Sequence, residues 1–67
     1  MRNDISDRRA ETGESQADLA AAVGVTRQTI NAIERERYDP SLKLAFKLAD
    51  HFGCRIEDLF EPADEDG

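Results

Sequence analysis

One cysteine, one histidine, two prolines, no tryptophan and an aromatic share of 6% leave this chain of 67 residues without the parts that most chemistry needs. A lone Cys54 has no partner for an internal disulfide and no second thiolate with which to hold a metal. With a single His51 and no glycine-rich loop after a strand, neither a nucleophile with its base nor a nucleotide cradle can be assembled. No catalytic residue, metal or cofactor is implied. No apolar run approaches the roughly 20 residues that a membrane span requires. Met1 to Asp7 also lack the apolar stretch of a secretion signal. The expectation is a cytoplasmic protein in a reducing compartment with no membrane partner. The chain has room for one domain, near the lower size limit for a core of its own, so close helix packing or oligomerisation has to contribute.

Net charge argues at first against nucleic acid. Fifteen acids against nine bases give −6, whereas a DNA-binding chain normally carries a basic footprint. The distribution changes the argument. Glu61, Asp64, Glu65 and Asp66 fall in the last seven residues, so residues 1–60 hold eleven acids against nine bases. Within residues 26–47 the balance turns positive, with Arg27, Arg35, Arg37, Lys43 and Lys47 against Glu34, Glu36 and Asp39. Seven of the nine bases are arginine, and together with the acid excess this suggests a protein that stays hydrated in concentrated salt, as in a halophile.

Five helical segments are expected, an all-α fold. Asp4 to Glu11 is weakly amphipathic, with Ile5 and Ala10 its main apolar positions. Ser15-Gln-Ala-Asp18 matches a capping box with Asp in the place of the usual Glu or Gln. Leu19, Ala20 and Val23 then recur at helical spacing, and Gly24 supplies the left-handed residue that ends a helix cheaply. Thr26 caps a third helix running to about Glu36. About 100° per residue puts Ile30, Ile33 and Arg37 on one side and Arg27, Gln28, Asn31 and Arg35 on another. Tyr38 to Ser41 reads as a turn, with Asp39 or Ser41 as the next cap. The fourth helix is apolar around most of its girth, and only Lys43, Lys47 and Asp50 form a polar stripe, as expected at a domain centre or interface. Gly53 stops it, and Ile56 to Phe60 add a last turn or two. Residues 1–60 thus form the domain and 61–67 an acidic, solvated tail. Arg2-Asn3 and Phe60-Glu61 are placed to pair as a short ribbon, though little in their side chains favours it.

Gln16, Leu19, Ala20, Gly24, Val25, Ile30, Ile33 and Glu34 carry the functional argument. Two helices crossing at roughly 90–120° after a short turn need a small residue at the crossing, a residue tolerant of positive φ in the turn, and apolar residues locking the second helix. Ala20, Gly24, and Val25 with Ile30 and Ile33 supply these. In these positions, and in Ser15 to Ala20, Gly24 to Ile30 and Tyr38 to Leu42, the chain resembles the Cro/C1-type (XRE) helix-turn-helix regulators, over about residues 3 to 60. The resemblance implies a compact five-helix, lambda repressor-like domain that binds double-stranded DNA. It also implies a homodimer on a palindromic operator and a role as a transcriptional regulator, a repressor by expectation.

Carried over by position, the resemblance places Gln16 on a DNA phosphate and Arg27 and Gln28 on base edges in the major groove. Arginine pairs with guanine and glutamine with adenine in bidentate fashion, which suits those two positions. Thr26, Thr29, Asn31, Arg35 and Tyr38 are placed for phosphate or sugar contacts, which set register. Arg9 and Glu34 match a pair that ties the first helix to the third. Leu44, Leu48, Leu59 and Phe60 are the expected dimer interface. Arg8 and Glu14 stand where the family has apolar residues, which leaves them to pair at the surface, and Arg55 stands where a hydroxyl often caps the last helix. Plainer roles exist beside these. Tyr38 suits a turn aromatic on Phe46 or the arginine stems, Cys54 a small hydrophobe, His51 a compensator of the helix dipole, and the tail a solubiliser. The rival function is an antitoxin, or an adaptor meeting a protein partner through the fourth and fifth helices.

Overall fold

The computed structural model describes residues 1–62. Its elements are β1 (Arg2–Asn3), α1 (Ile5–Thr12), α2 (Gln16–Val23), α3 (Arg27–Glu34), α4 (Leu42–Phe52), α5 (Ile56–Leu59) and β2 (Phe60–Glu61). Local chemistry sets most of their boundaries. The Ser15 hydroxyl accepts from Asp18 N at 2.9 Å, and the Asp18 carboxylate accepts from Ser15 N at 3.1 Å, a reciprocal box that starts α2. Thr26 Oγ1 accepts from Thr29 N at 3.2 Å to start α3. Ser41, not Asp39, caps α4, accepting from Leu44 N at 3.1 Å. At Arg55 the reciprocal carboxylate alone does the work, Asp58 accepting from Arg55 N at 3.2 Å.

The turn between α2 and α3 depends on Gly24, whose φ of 78° is left-handed and sterically cheap only for glycine. The exit from α3 uses the same conformation without a glycine. Glu36 has φ 62°, and its N–H bonds to Ile33 O at 3.0 Å while Arg37 N bonds to Ala32 O at 2.9 Å. These are the two bonds of a Schellman ending, reached two residues before the Glu36 boundary read from sequence. Arg37 therefore leaves the side shared by Ile30 and Ile33 and is exposed. A left-handed L-residue costs roughly 1–2 kcal/mol, more than the roughly 0.4–1 kcal/mol of unfolded-chain entropy that a glycine adds. Glu36→Gly is therefore expected to raise the melting temperature slightly. A drop on thermal melting would show that the Glu36 side chain contributes more than its backbone strain costs.

One core joins all five helices: Ile5, Leu19, Ala20, Val23, Ile30, Ile33, Leu44, Ala45, Leu48, Ala49, Leu59 and Phe60. Leu44, Leu48, Leu59 and Phe60 are only 8%, 0%, 1% and 5% exposed. The assignment of these four to a dimer interface is thus corrected, because their apolar surface is already covered within one chain. The apolar side chains that α4 leaves in solvent are Leu42 and Phe46. Ala10 is exposed, so Ile5 alone anchors α1 in the core.

The two ends of the domain meet. β1 and β2 pair antiparallel, Arg2 opposite Glu61 and Asn3 opposite Phe60, with Arg2 and Glu61 3.2 Å apart at the surface. Asn3 fixes this ribbon to the motif: its Nδ2 donates to Ile33 O at 2.8 Å, and its Oδ1 accepts from Ile5 N at 3.2 Å. Glu61 is therefore in a strand, not at the start of a tail, and Ala63 to Gly67 lie outside the described residues. Arg8 and Glu14 do not pair. Arg8 Nε sits 3.4 Å from Asp4, and Glu14 turns toward Thr12 and His51, each 2.7 Å away. No helix of the described residues is long and apolar enough to cross a membrane.

Candidate nucleic-acid interface

α2 and α3 make the most extensive helix pair in the domain, and a polar chain runs along their junction. Arg9 Nε and Nη2 donate to the two Glu34 carboxylate oxygens at 2.6 and 3.1 Å, a bidentate pair. Arg9 Nη1 also donates to Glu14 O at 3.0 Å. Glu34 Oε1 accepts a further bond from Gln16 Nε2 at 2.9 Å, and Gln16 Oε1 faces Asn31 Nδ2 at 3.5 Å. The expected ion pair is thus present, and it also orients Gln16 and, through it, Asn31. Gln16 is half-buried and keeps one amide hydrogen for an outside acceptor.

Burial works against the Glu34 charge, but hydrogen bonds from Arg9 and Gln16, with the Arg9 charge, outweigh it and hold the carboxyl below its ordinary 4.5. Glu14 is lowered too, chiefly by the Thr12 hydroxyl and, against burial, by His51. Both shifts have the same sign for stability. A folded-state pKa below the unfolded value adds stability that is complete above the unfolded value and is lost as pH falls through the folded one. Thermal melts should accordingly be flat toward neutrality and fall below about pH 4.5. Glu34→Gln should flatten the acid limb while lowering stability at pH 7. An unchanged limb would place the acid sensitivity elsewhere.

Ile30 and Ile33 bury one side of α3, and the other side holds the expected site residues. Arg27, Gln28 and Arg35 are exposed, and Thr29 and Asn31 are half-buried. Thr26 spends its oxygen on the cap and lies 3.1 Å from Thr29 Oγ1. Tyr38, 48% exposed, borders a shallow hollow with Thr26, Gln28, Thr29 and Ala32. It therefore stands beside the site. Thr29 and Tyr38 also border a second hollow with Ser41, Lys43 and Lys47. The surface is continuous from Gln28 to the α4 lysines.

Charge pairing separates the nine bases into two groups. Arg2, Arg8, Arg9 and Arg55 each have a carboxylate within 4 Å. Arg27, Arg35, Arg37, Lys43 and Lys47 have none among the described residues, and all five are exposed. In a chain with an excess of acid, the cations without carboxylate partners are concentrated on α3, its exit and α4. Lys43 and Lys47 were not among the expected site residues. Their spacing of four on a helix, within the positive window 26–47, was the signal.

The helix-turn-helix family model matches residues 5–59. The chain is 53% identical over 66 residues to an uncharacterized HTH-type transcriptional regulator of Methanocaldococcus jannaschii, covering 98% of this chain and 100% of that one. Among solved structures it is similar to the restriction-modification controller protein C.AhdI from Aeromonas hydrophila. That match has TM-score 0.76 and 30% identity and covers 84% of this chain and 85% of the controller. The N-terminal DNA binding domain of SinR from Bacillus subtilis matches with TM-score 0.76 and 27% identity over 91% of this chain and 90% of that domain.

Proposed function

The chain belongs to the Cro/C1-type helix-turn-helix family of transcriptional regulators, and from that premise we propose that it is a repressor acting as a homodimer on a palindromic operator. Double-stranded DNA is the ligand that the fold serves. In this reading α3 lies in the major groove with Arg27 and Gln28 on base edges. Gln16, Thr26, Thr29, Asn31, Arg35 and Tyr38 hold the flanking phosphates and sugars, and the domain extends through Glu61, the end of β2. The observation that carries it is the segregation of unpaired cations: the five bases without carboxylate partners lie on or beside the helix that the fold presents to DNA. Phosphate neutralisation by such residues supplies the sequence-independent part of affinity. One recognition helix reads too few base pairs to find a site in a genome, and a two-fold dimer doubles the count. The dimer face proposed for these copies cannot be the buried set Leu44, Leu48, Leu59 and Phe60.

Binding titrations on a selected operator and on a scrambled duplex test the division of labour. Gln28→Ala should relax preference at one position in each half-site by about 1–3 kcal/mol and leave binding to the scrambled duplex unchanged. Arg35→Ala should weaken both duplexes alike. Uniform weakening by Gln28→Ala would make Gln28 a phosphate contact and overturn the base-reading assignment.

A further inference from the structure

From Ser6 to Asp18 no side chain is buried, and the half-buried ones, Arg8, Arg9, Glu14 and Gln16, are all polar. The corner between α1 and α2, where Gln16 begins the second helix, is thus held by polar contacts and not by apolar packing. One of these is the Arg9–Glu34 pair. Another comes from the last turn of α4, where His51 Nε2 lies 2.7 Å from Glu14 Oε2. Glu14 passes that contact on. Its other carboxylate oxygen accepts from the Thr12 hydroxyl at 2.7 Å, its carbonyl accepts from Arg9 Nη1 at 3.0 Å, and its N–H donates to Arg9 O at 3.1 Å. Arg9 in turn holds Glu34, and Glu34 accepts from Gln16 Nε2 at 2.9 Å. We infer that His51 is a positioning residue for DNA binding: in its charged form it fixes Glu14 and, through Arg9 and Glu34, the Gln16 side chain, so that duplex affinity rises as pH falls through neutrality. The inference rests on the DNA-binding reading above and gives that same site a regulation.

Protonation changes the strength of this link and not its partners. An ionised carboxylate only accepts hydrogen bonds, so His51 Nε2 carries a hydrogen toward Glu14 in both charge states of the ring. The imidazolium adds a charge opposite to that of Glu14 at 2.7 Å, and the two side chains are only 28% and 21% exposed, which screens them less than a surface pair. Other charges around them are fixed. Lys47 and Asp50, on α4 itself, border the hollow beside His51, where α2 contributes Ala21, Ala22, Val23 and Gly24, none of them titratable. Phe52 meets the imidazole edge-on, ring centroids 5.0 Å apart. The charges of Asp18 and Arg9 act on Glu14 from α2 and α1 with opposite signs. Lysine, arginine and aspartate do not titrate near neutrality, whereas histidine does, and His51 is the sole histidine of the chain.

Duplex binding by the full chain at about pH 5.5 and about pH 7.5, at one salt concentration, is the test. The proteins are wild type, Glu14→Gln, His51→Gln and Gln16→Ala, each checked for folding by circular dichroism. Wild type should bind about fivefold more tightly at the lower pH, the low end of the usual coupling between two sites. Glu14→Gln keeps a hydrogen-bond acceptor but loses the charge, and its affinity should not depend on pH; nor should that of His51→Gln. Gln16→Ala should bind more weakly than wild type and lose the pH dependence too, because the relay ends on that side chain. A pH dependence that survives in Glu14→Gln or Gln16→Ala would mean that His51 acts through net charge alone and would overturn the assignment, as would a wild type indifferent to pH. In the protein without DNA, the NMR signal of the Gln16 side-chain amide should follow the His51 ring through its titration, and cease to follow it in Glu14→Gln. An amide that ignores the ring would overturn the relay. These spectra also separate the two readings: a chain that binds no duplex at either pH, with Gln16 still following His51, would leave the relay standing and remove the DNA reading.

Discussion

Truncating Glu34 to alanine is expected to remove about 3–5 kcal/mol, most of the net stability that a domain of this size possesses. The reason is the charge left behind. Arg9 and Glu34 are 17% and 7% exposed as side chains, and each satisfies its polar atoms mainly through the other. Without the carboxylate, the guanidinium keeps one bond, to Glu14 O, and Gln16 loses its acceptor. Arg9→Ala strands a more deeply buried carboxylate and should cost at least as much. Arg8→Ala is the internal control. Its contact with Asp4 is 3.4 Å long with both groups partly solvated, and its Nε is buried with no hydrogen-bond partner, so the loss should stay within about 1 kcal/mol. Urea unfolding of the three variants checks this, and equal losses would remove the pair from its central place.

Phe60→Asp should leave the chain unfolded at ambient temperature, whereas the same change at Phe46, 59% exposed, should leave it folded. Phe60 is 5% exposed, shares the core with Leu48 and Leu59, and pairs opposite Asn3 in the ribbon that fastens α1 and the end of α3. A carboxylate there loses the apolar contact and buries a charge with no partner, a cost of several kcal/mol. Leu48→Ala, a milder change at a site with no exposure, should cost about 2–5 kcal/mol through transfer and cavity terms. Circular dichroism with thermal melting separates the cases. A cooperatively folded, monomeric Phe60→Asp would contradict the core and return Phe60 to the interface.

The contrast between Phe46 and Phe60 also marks where sequence reasoning ends. Caps at Ser15 and Thr26, the stop at Gly24 and the inward Ile30 and Ile33 were legible because each depends on residues within four positions. Contacts over long separations were not. Glu14 meets His51 across 37 residues, and Asn3 reaches Ile33 across 30. Periodicity shows that α4 is apolar nearly all round, but not which of its apolar sides the rest of the chain covers. Leu44 and Leu48 go inward, where α2 and α5 pack on α4, while Leu42 and Phe46 stay out. The Schellman ending at Glu36 was hidden for another reason: glutamate carries no preference for the left-handed conformation. The ion pair between Arg9 and Glu34 was legible only through family resemblance, and its extension to Gln16 and Asn31 only through geometry.

In the proposed function α3 reads the major groove in a two-fold pair. The most direct measurement is footprinting of the purified protein on genomic fragments that it selects. Two protected half-sites related by a dyad are expected, their centres one helical turn apart, about 10–10.5 bp or roughly 34 Å. A single unrepeated protected segment, or protection with no preferred sequence, would contradict it.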